Sequence, residues 1–376
     1  MNKIYLLTAA FAVMASLSGC SDTELASIDT AQEKTPIGFH TVGSQMGSRA
    51  TIINSGNLKD TDFKVYAFDD TGNAFMGNND TDEDYMNRNG VHIKYDKDAS
   101  AWTYAKPLDL RYWPDSKLDF YAVSPATFPE DIHLFWKINK KEQTISYTSF
   151  DEYKTAGGNQ NLDIMYAVAK EQKNSNGGKV SLAFKHILSQ VLFKAKTNDV
   201  KMEVEINGMK FHNFQLGGIF TIPEGEPTRT DRTQPGSAFA VSTVGMNEIT
   251  TVTSTGTDVF TKPMLFVPQI LTAWVPSEKN IEAADNAKLT YLEISCRIKQ
   301  NGSYLFGKTD YETLYVPFSA TWQPGKRYVY TLIFGGGYTN ESKPILTQVN
   351  FTASAEDWKP DDGNTTNGND KVTQLP

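Results

Sequence analysis

The feature that most constrains this chain is a long series of short runs in which apolar and polar residues alternate. Phe63-Lys64-Val65-Tyr66-Ala67-Phe68 is one such run, closed by Asp69-Asp70-Thr71-Gly72. Others are expected at 37–42, 180–184, 218–222, 238–243, 259–267, 289–299, 313–318, 327–334 and 345–353. A period of two places one set of side chains on each face of a strand, and the Gly, Pro, Asn and Asp between the runs are turn formers. No helical period long enough for a crossover separates them. The fold class expected is therefore all-β, built as two antiparallel β-sandwich domains, and a doubly wound parallel sheet is excluded. Tyr and Phe, at 17 and 21 copies, suit sheets better than helical bundles.

Two stretches carry finer expectations. Val200, Met202, Val204 and Ile206 alternate with Lys201, Glu203 and Glu205, and the alternation resumes at Met209 and Phe211 after Asn207-Gly208. Asn-Gly tolerates positive φ at both centres, so a two-residue hairpin is predicted there. In Phe184-Lys185-His186-Ile187-Leu188-Ser189-Gln190-Val191 the period of two breaks, and Leu188, Val191 and Leu192 would share a helical face, which predicts one helical turn. Pro317 should sit at a strand edge or bulge, where no ladder donor is needed.

At 376 residues the chain suits two domains. The first twenty residues pair Lys3 with the apolar run Ile4 to Leu17 and end in Leu17-Ser18-Gly19-Cys20. That is an export signal rather than a spanning helix. It ends in residues that match the lipobox of bacterial lipoproteins, a resemblance that implies cleavage before Cys20 and lipid on that cysteine. The expected organisation is a lipoprotein signal peptide at 1–19, a polar spacer at 20–35, β-sandwich domains at 36–178 and 179–358, and a polar tail at 359–376. Arg49 stands in a Gly/Ser-rich segment just ahead of a β-branched run, a setting that suits a protease target.

The same text excludes most chemistry. A formal charge of -8 disfavours nucleic acid as a partner, because phosphate binding needs clustered Lys and Arg. With Cys20 lipidated, Cys296 has no disulfide partner, and Leu292, Ile294 and Ile298 place it on the apolar side of a strand. The five histidines, His40, His92, His133, His186 and His212, lack metal-hydrolase spacing, and His186 is expected to make a structural hydrogen bond. Asp80, Asp82 and Asp84 imitate a calcium loop, but Tyr85 and Val91 occupy the positions that need Gly and Glu. Gly335-Gly336-Gly337 lacks the Lys-Ser/Thr of a phosphate loop. No enzyme activity, cofactor or metal is expected. A surface glycan-binding module that does not polymerise is the alternative, with Trp102, Trp113, Trp136 and Trp322 as sugar-stacking candidates.

The arrangement as a whole resembles the fimbrillin family of Bacteroidales, lipoprotein precursors of type V pilus subunits. The resemblance runs through Phe63 to Phe68, Tyr112-Trp113-Pro114 and Leu118-Asp119-Phe120-Tyr121-Ala122. It continues in Leu162-Asp163-Ile164-Met165-Tyr166-Ala167, the distinctive Val180 to Val191, Trp322-Gln323-Pro324-Gly325-Lys326-Arg327-Tyr328-Val329-Tyr330, and Asp357-Trp358. It implies two transthyretin-like sandwiches, export to the outer membrane through lipid on Cys20, and cleavage by an Arg-specific protease, for which Arg49 is the matching residue. Removal of the leading strand, Ile37 to Arg49, would then open a groove for a strand from another pilus subunit. Stalk subunits donate a C-terminal strand; the polar tail after Trp358 fits a tip or accessory subunit, whose partners would include a host or bacterial surface ligand.

Overall fold

Alternating side chains and turn residues fold the described residues of the first half into eleven strands. A computed structural model describes residues 34–42, 58–77, 89–128, 132–139, 142–149, 162–215, 217–222, 228–229, 239–244, 249–260, 263–334 and 350–357. The strands are β1 (Gly38–Val42), β2 (Phe63–Asp69), β3 (Ala74–Met76), β4 (Val91–Asp96), β5 (Ala101–Tyr104) and β6 (Leu118–Ser124). They continue with β7 (Ile132–Ile138), β8 (Gln143–Ser149), β9 (Met165–Gln172), β10 (Lys179–Ala183) and β11 (Lys185–His186). One sheet runs in the order β10-β1-β5-β4-β2-β6-β9-β11, with β3 hydrogen-bonded to β2.

The second half supplies β12 (Ser189–Thr197), β13 (Met202–Gln215), β14 (Gly217–Thr221), β15 (Thr228–Arg229), β16 (Phe239–Val244), β17 (Thr250–Val252) and β18 (Thr257–Asp258). After β19 (Met264–Phe266) and β20 (Ile270–Leu271) comes one short helix, α1 (Ile281–Asn286). Then follow β21 (Tyr291–Gln300), β22 (Ser303–Phe306), β23 (Glu312–Pro317), β24 (Ala320–Thr321), β25 (Lys326–Phe334) and β26 (Asn350–Asp357). The sheets β18-β12-β25-β26 and β16-β13-β21-β22 enclose one core, in which Phe193 and Tyr330 meet Phe211, Ile294 and Phe318. A second sandwich packs Tyr66, Tyr121 and Tyr166 of the first sheet on Leu134, Trp136, Ile145 and Phe220 of the sheet β15-β14-β8-β7.

The chain is all-β, but its ladders are not purely antiparallel: β1 runs parallel to β10, and β12 parallel to β25. Ladders also cross the boundary expected at residue 178, since β10 pairs with β1 and β14 pairs with β8. The helical turn predicted near Leu188 is instead the short strand β11 followed by a bend at Leu188 that leads into β12. Leu188 and Val191 are buried, and residues 190–197 pair with 327–334. A long ladder to a distant strand outweighs a local period here. Of the run expected at 259–267, the described residues are strand only at Met264–Phe266, in β19.

The Asn207-Gly208 hairpin is overturned as well. β13 passes straight through it, with Ile206 opposite Cys296 and Gly208 opposite Ser295, so Asn207 is the extra residue of a β-bulge. The hairpin built on Asn-Gly lies at Asn301-Gly302, between β21 and β22, where both residues have positive φ (51° and 78°). Pro317 ends β23, which pairs with β21 and no other described strand. Cys296 is fully buried among core side chains, and burial pushes its thiol pKa up.

Candidate strand-exchange site

The leading strand is laid between two others instead of along an edge. β1 pairs in parallel with β10 over residues 38–42 and meets β5 at Phe39 opposite Trp102. Among the described strands β10 has no other ladder partner, so β1 alone ties it into the sheet. Lifting β1 out would leave unpaired backbone on both flanks. An incoming strand would find ladder partners on two sides, where ordinary edge addition offers one.

Alternation decides what β1 buries. Ile37 and Phe39 point inward, at 1% and 4% exposure, while His40 faces solvent. The Phe39 ring sits 6.2 Å from Phe63, 6.0 Å from Tyr104 and 6.2 Å from Phe120, centroid to centroid. Edge-on aromatic contacts of this kind add about 0.5–1.5 kcal/mol each beyond the area they bury. Trp102 and Trp113 extend the aromatic lining, and Val180 and Leu182 of β10 belong to the same core. The trough beneath β1 is thus apolar and uncharged at its base.

Polar contacts then hold the strand unevenly. At its start, the Ile37 amide donates to the Arg111 carbonyl (2.8 Å) and the Trp113 amide to the Thr35 carbonyl (3.0 Å). The Tyr104 hydroxyl donates to the Ile37 carbonyl (2.9 Å), and the Asn174 side-chain amide to the Thr35 hydroxyl (3.0 Å). Burial pushes the Tyr104 pKa up to about 12, so it remains a donor throughout the neutral range. Gly178, with φ +79°, passes so close that a Cβ there would lie 2.6 Å from the Pro36 carbonyl oxygen, and its own carbonyl accepts from the Trp113 indole (2.8 Å). Toward the far end, one side-chain bond is present: the Trp102 indole donates to the Thr41 hydroxyl at 3.2 Å.

The remaining sequence candidates fall as follows. Cys20, Arg49, the triplet Asp80, Asp82 and Asp84, the Gly335–Gly337 run and the tail after residue 357 lie outside the described residues. His186 is buried and bonded to the buried Asp163 carboxylate (3.0–3.1 Å), joining β11 to the start of β9. The four tryptophans proposed to stack on sugars are core residues, none more than 9% exposed. Their indoles bond to Thr41, the Gly178 carbonyl, Tyr66 and Tyr330. Among the described residues, no group of three His, Cys, Asp or Glu side chains could hold a metal ion. The two-sided slot escaped sequence reasoning because it depends on the pairing of β1 with β10, more than 130 residues away.

An all-β body whose first described strand lies between two others over an apolar trough defines a β-sandwich protein. The profile of one family, described as fimbrillin-like, matches residues 48–358. The chain belongs to this family, which is one of structural fimbrial proteins and not of enzymes. It is 26% identical over 210 residues to the fimbrium subunit Fim1C of Phocaeicola vulgatus, a match covering 52% of this chain and 51% of that protein. The chain therefore spans about half the length of that curated relative. Among solved structures it is similar to a proposed cell adhesion protein of Bacteroides uniformis (13% identity, 86% of this chain and 100% of that one, TM-score 0.48). It is also similar to the tip fimbrial protein Mfa3 of Porphyromonas gingivalis (9% identity, 79% and 94%, TM-score 0.37).

Proposed function

We propose that this chain is a cell-surface pilus subunit that gives up its leading strand and accepts a strand from another subunit in the vacated slot. The observation that carries this reading is β1 itself: an inward-facing Ile37 and Phe39 seated between β5 and β10, near one end of the chain. The family match begins at residue 48, beyond β1, so the leading strand lies ahead of the shared body. Cleavage after Arg49 by an Arg-specific protease, just inside the start of that match, would sever β1 from the rest of the body and leave it held by non-covalent contacts alone. An emptied slot exposes aromatic surface and unpaired backbone together, and a partner strand satisfies both.

Lipid on Cys20 would carry the precursor to the outer membrane before processing. The polar tail after Trp358 favours a tip or accessory position, in which the subunit accepts a strand and contributes to adhesion. The test is to treat the full precursor with an Arg-specific protease and to read the new N-terminus by mass spectrometry. A synthetic strand with the pattern of β1 is then offered to the cut protein. Cleavage after Arg49 followed by exchange of the bound strand is expected. Cutting that never lets the added strand enter refutes the assembly mechanism.

A further inference from the structure

A second concave site lies in the other half of the chain, where the end of β13 meets β20 and the residues after α1. It is a cavity of about 220 Å³, below the ~300–1,000 Å³ of a drug-sized site and therefore the size of a single small ring. Its floor is polar although buried: Asn213, Gln215, Gln269 and Thr290 are 7%, 4%, 1% and 1% exposed. Buried amides are costly unless bonded, and these are organised. Gln269 accepts from the Gln215 amide (2.8 Å) and donates to the Gln215 and Val267 carbonyls (3.2 and 3.1 Å), standing in for a missing ladder neighbour.

Asn213 commits both of its side-chain hydrogens, to Asp285 Oδ1 (2.8 Å) and to the Leu289 carbonyl (2.9 Å). What it has left to offer a ligand is its amide oxygen. The Thr272 and Thr290 hydroxyls, also in the lining, make no hydrogen bond to another described residue. Ile270, Leu271 and Leu289 supply aliphatic walls, with Ile270 54% exposed at the rim. Two of the non-glycine residues with left-handed backbone, Asn213 (φ 62°) and Lys288 (φ 55°), border this one cavity. Strained backbone gathered at a pocket points to a constrained site.

From these features we propose that the cavity binds one hydroxylated ring of monosaccharide size. The amide oxygen and the two hydroxyls meet its hydroxyl groups, and the aliphatic wall meets its C–H face. This site is separate from the β1 slot, and its occupancy does not depend on strand exchange. The test titrates the full chain with glucose, galactose, mannose and N-acetylglucosamine, followed by calorimetry and saturation-transfer NMR. At least one sugar should saturate at a Kd of about 1 mM. Ile270→Arg, an exposed change that blocks the mouth, and Asn213→Gly, which keeps the left-handed backbone, should each weaken it about tenfold without loss of the folded spectrum. Lack of saturation by all four sugars up to about 50 mM, or binding unaltered in Ile270→Arg, overturns the proposal.

Discussion

Replacing Phe39 with Ala tests whether β1 is a separately releasable element. The ring is 4% exposed and touches Phe63, Tyr104 and Phe120. A buried Phe→Ala change costs about 3–5 kcal/mol. If β1 leaves while the rest of the sheet stays folded, residue 39 is in water in the open form, so the whole cost appears in the opening equilibrium. At about 3 kcal/mol, opening rises roughly 150-fold. Native-state hydrogen exchange across a denaturant series reads this directly. In the parent chain, amides of residues 38–42 should exchange at lower free energy and with a shallower denaturant slope than those of 63–69, because opening a strand exposes less surface than unfolding a sheet. The unequal anchoring at Thr35 and Ile37 adds an order: Thr41 and Val42 open first, Ile37 last. Should β1 and β2 share one free energy and one slope, β1 departs only when the sheet unfolds. Strand release from a folded body is then wrong.

Three further outcomes follow from particular residues. Gly178→Ala places a Cβ against the Pro36 carbonyl at a left-handed position; it should loosen the start of β1 and erase the exchange gradient, with little change at residues 291–300. Deleting Asn207 alone removes the bulge but leaves Ile206, Gly208 and Met209 in regular alternation, so cooperative melting should survive, as it should in Asn207→Ala at this exposed position; deleting Asn207 and Gly208 together turns Met209 and Phe211 toward solvent and should abolish it. Glu293 is held down from 4.5 to about 2 chiefly by its hydrogen bond from His212, with Lys210 adding to it. A depressed carboxylate stabilises the fold above its unfolded pKa and loses that contribution as pH falls toward the folded value, so acid titration of Glu293→Gln should show a shallower loss of stability between about pH 4.5 and 2 than the parent.

Much of the body is legible without coordinates. Phe63 to Phe68, Leu292 to Ile298 and Arg327 to Phe334 are strands where their alternation places them, and Cys296 is in the core. The tryptophans are the opposite case: composition cannot tell a stacking platform from a packed core, and all four are packed. The polar cavity was missed because its lining comes from three separate segments. The Asn213 and Gln215 pair at the end of an otherwise apolar run was its one local signal.

Alternation of apolar and polar side chains is a local property, so the chain by itself settled that it would be all-β and which side chains would point inward. Partner and direction are not local. Asn207-Gly208 and Asn301-Gly302 read alike, since a two-residue turn and a one-residue bulge both carry the alternation from Ile206 across to Met209. The strand opposite decided between them: β21 runs past the first pair without a break and turns back into β22 at the second. Likewise, nothing near Gly38 reveals that it will lie beside Lys179. That pairing appears only when two distant segments close the same sheet, and from it come the two-sided slot and the function proposed for it.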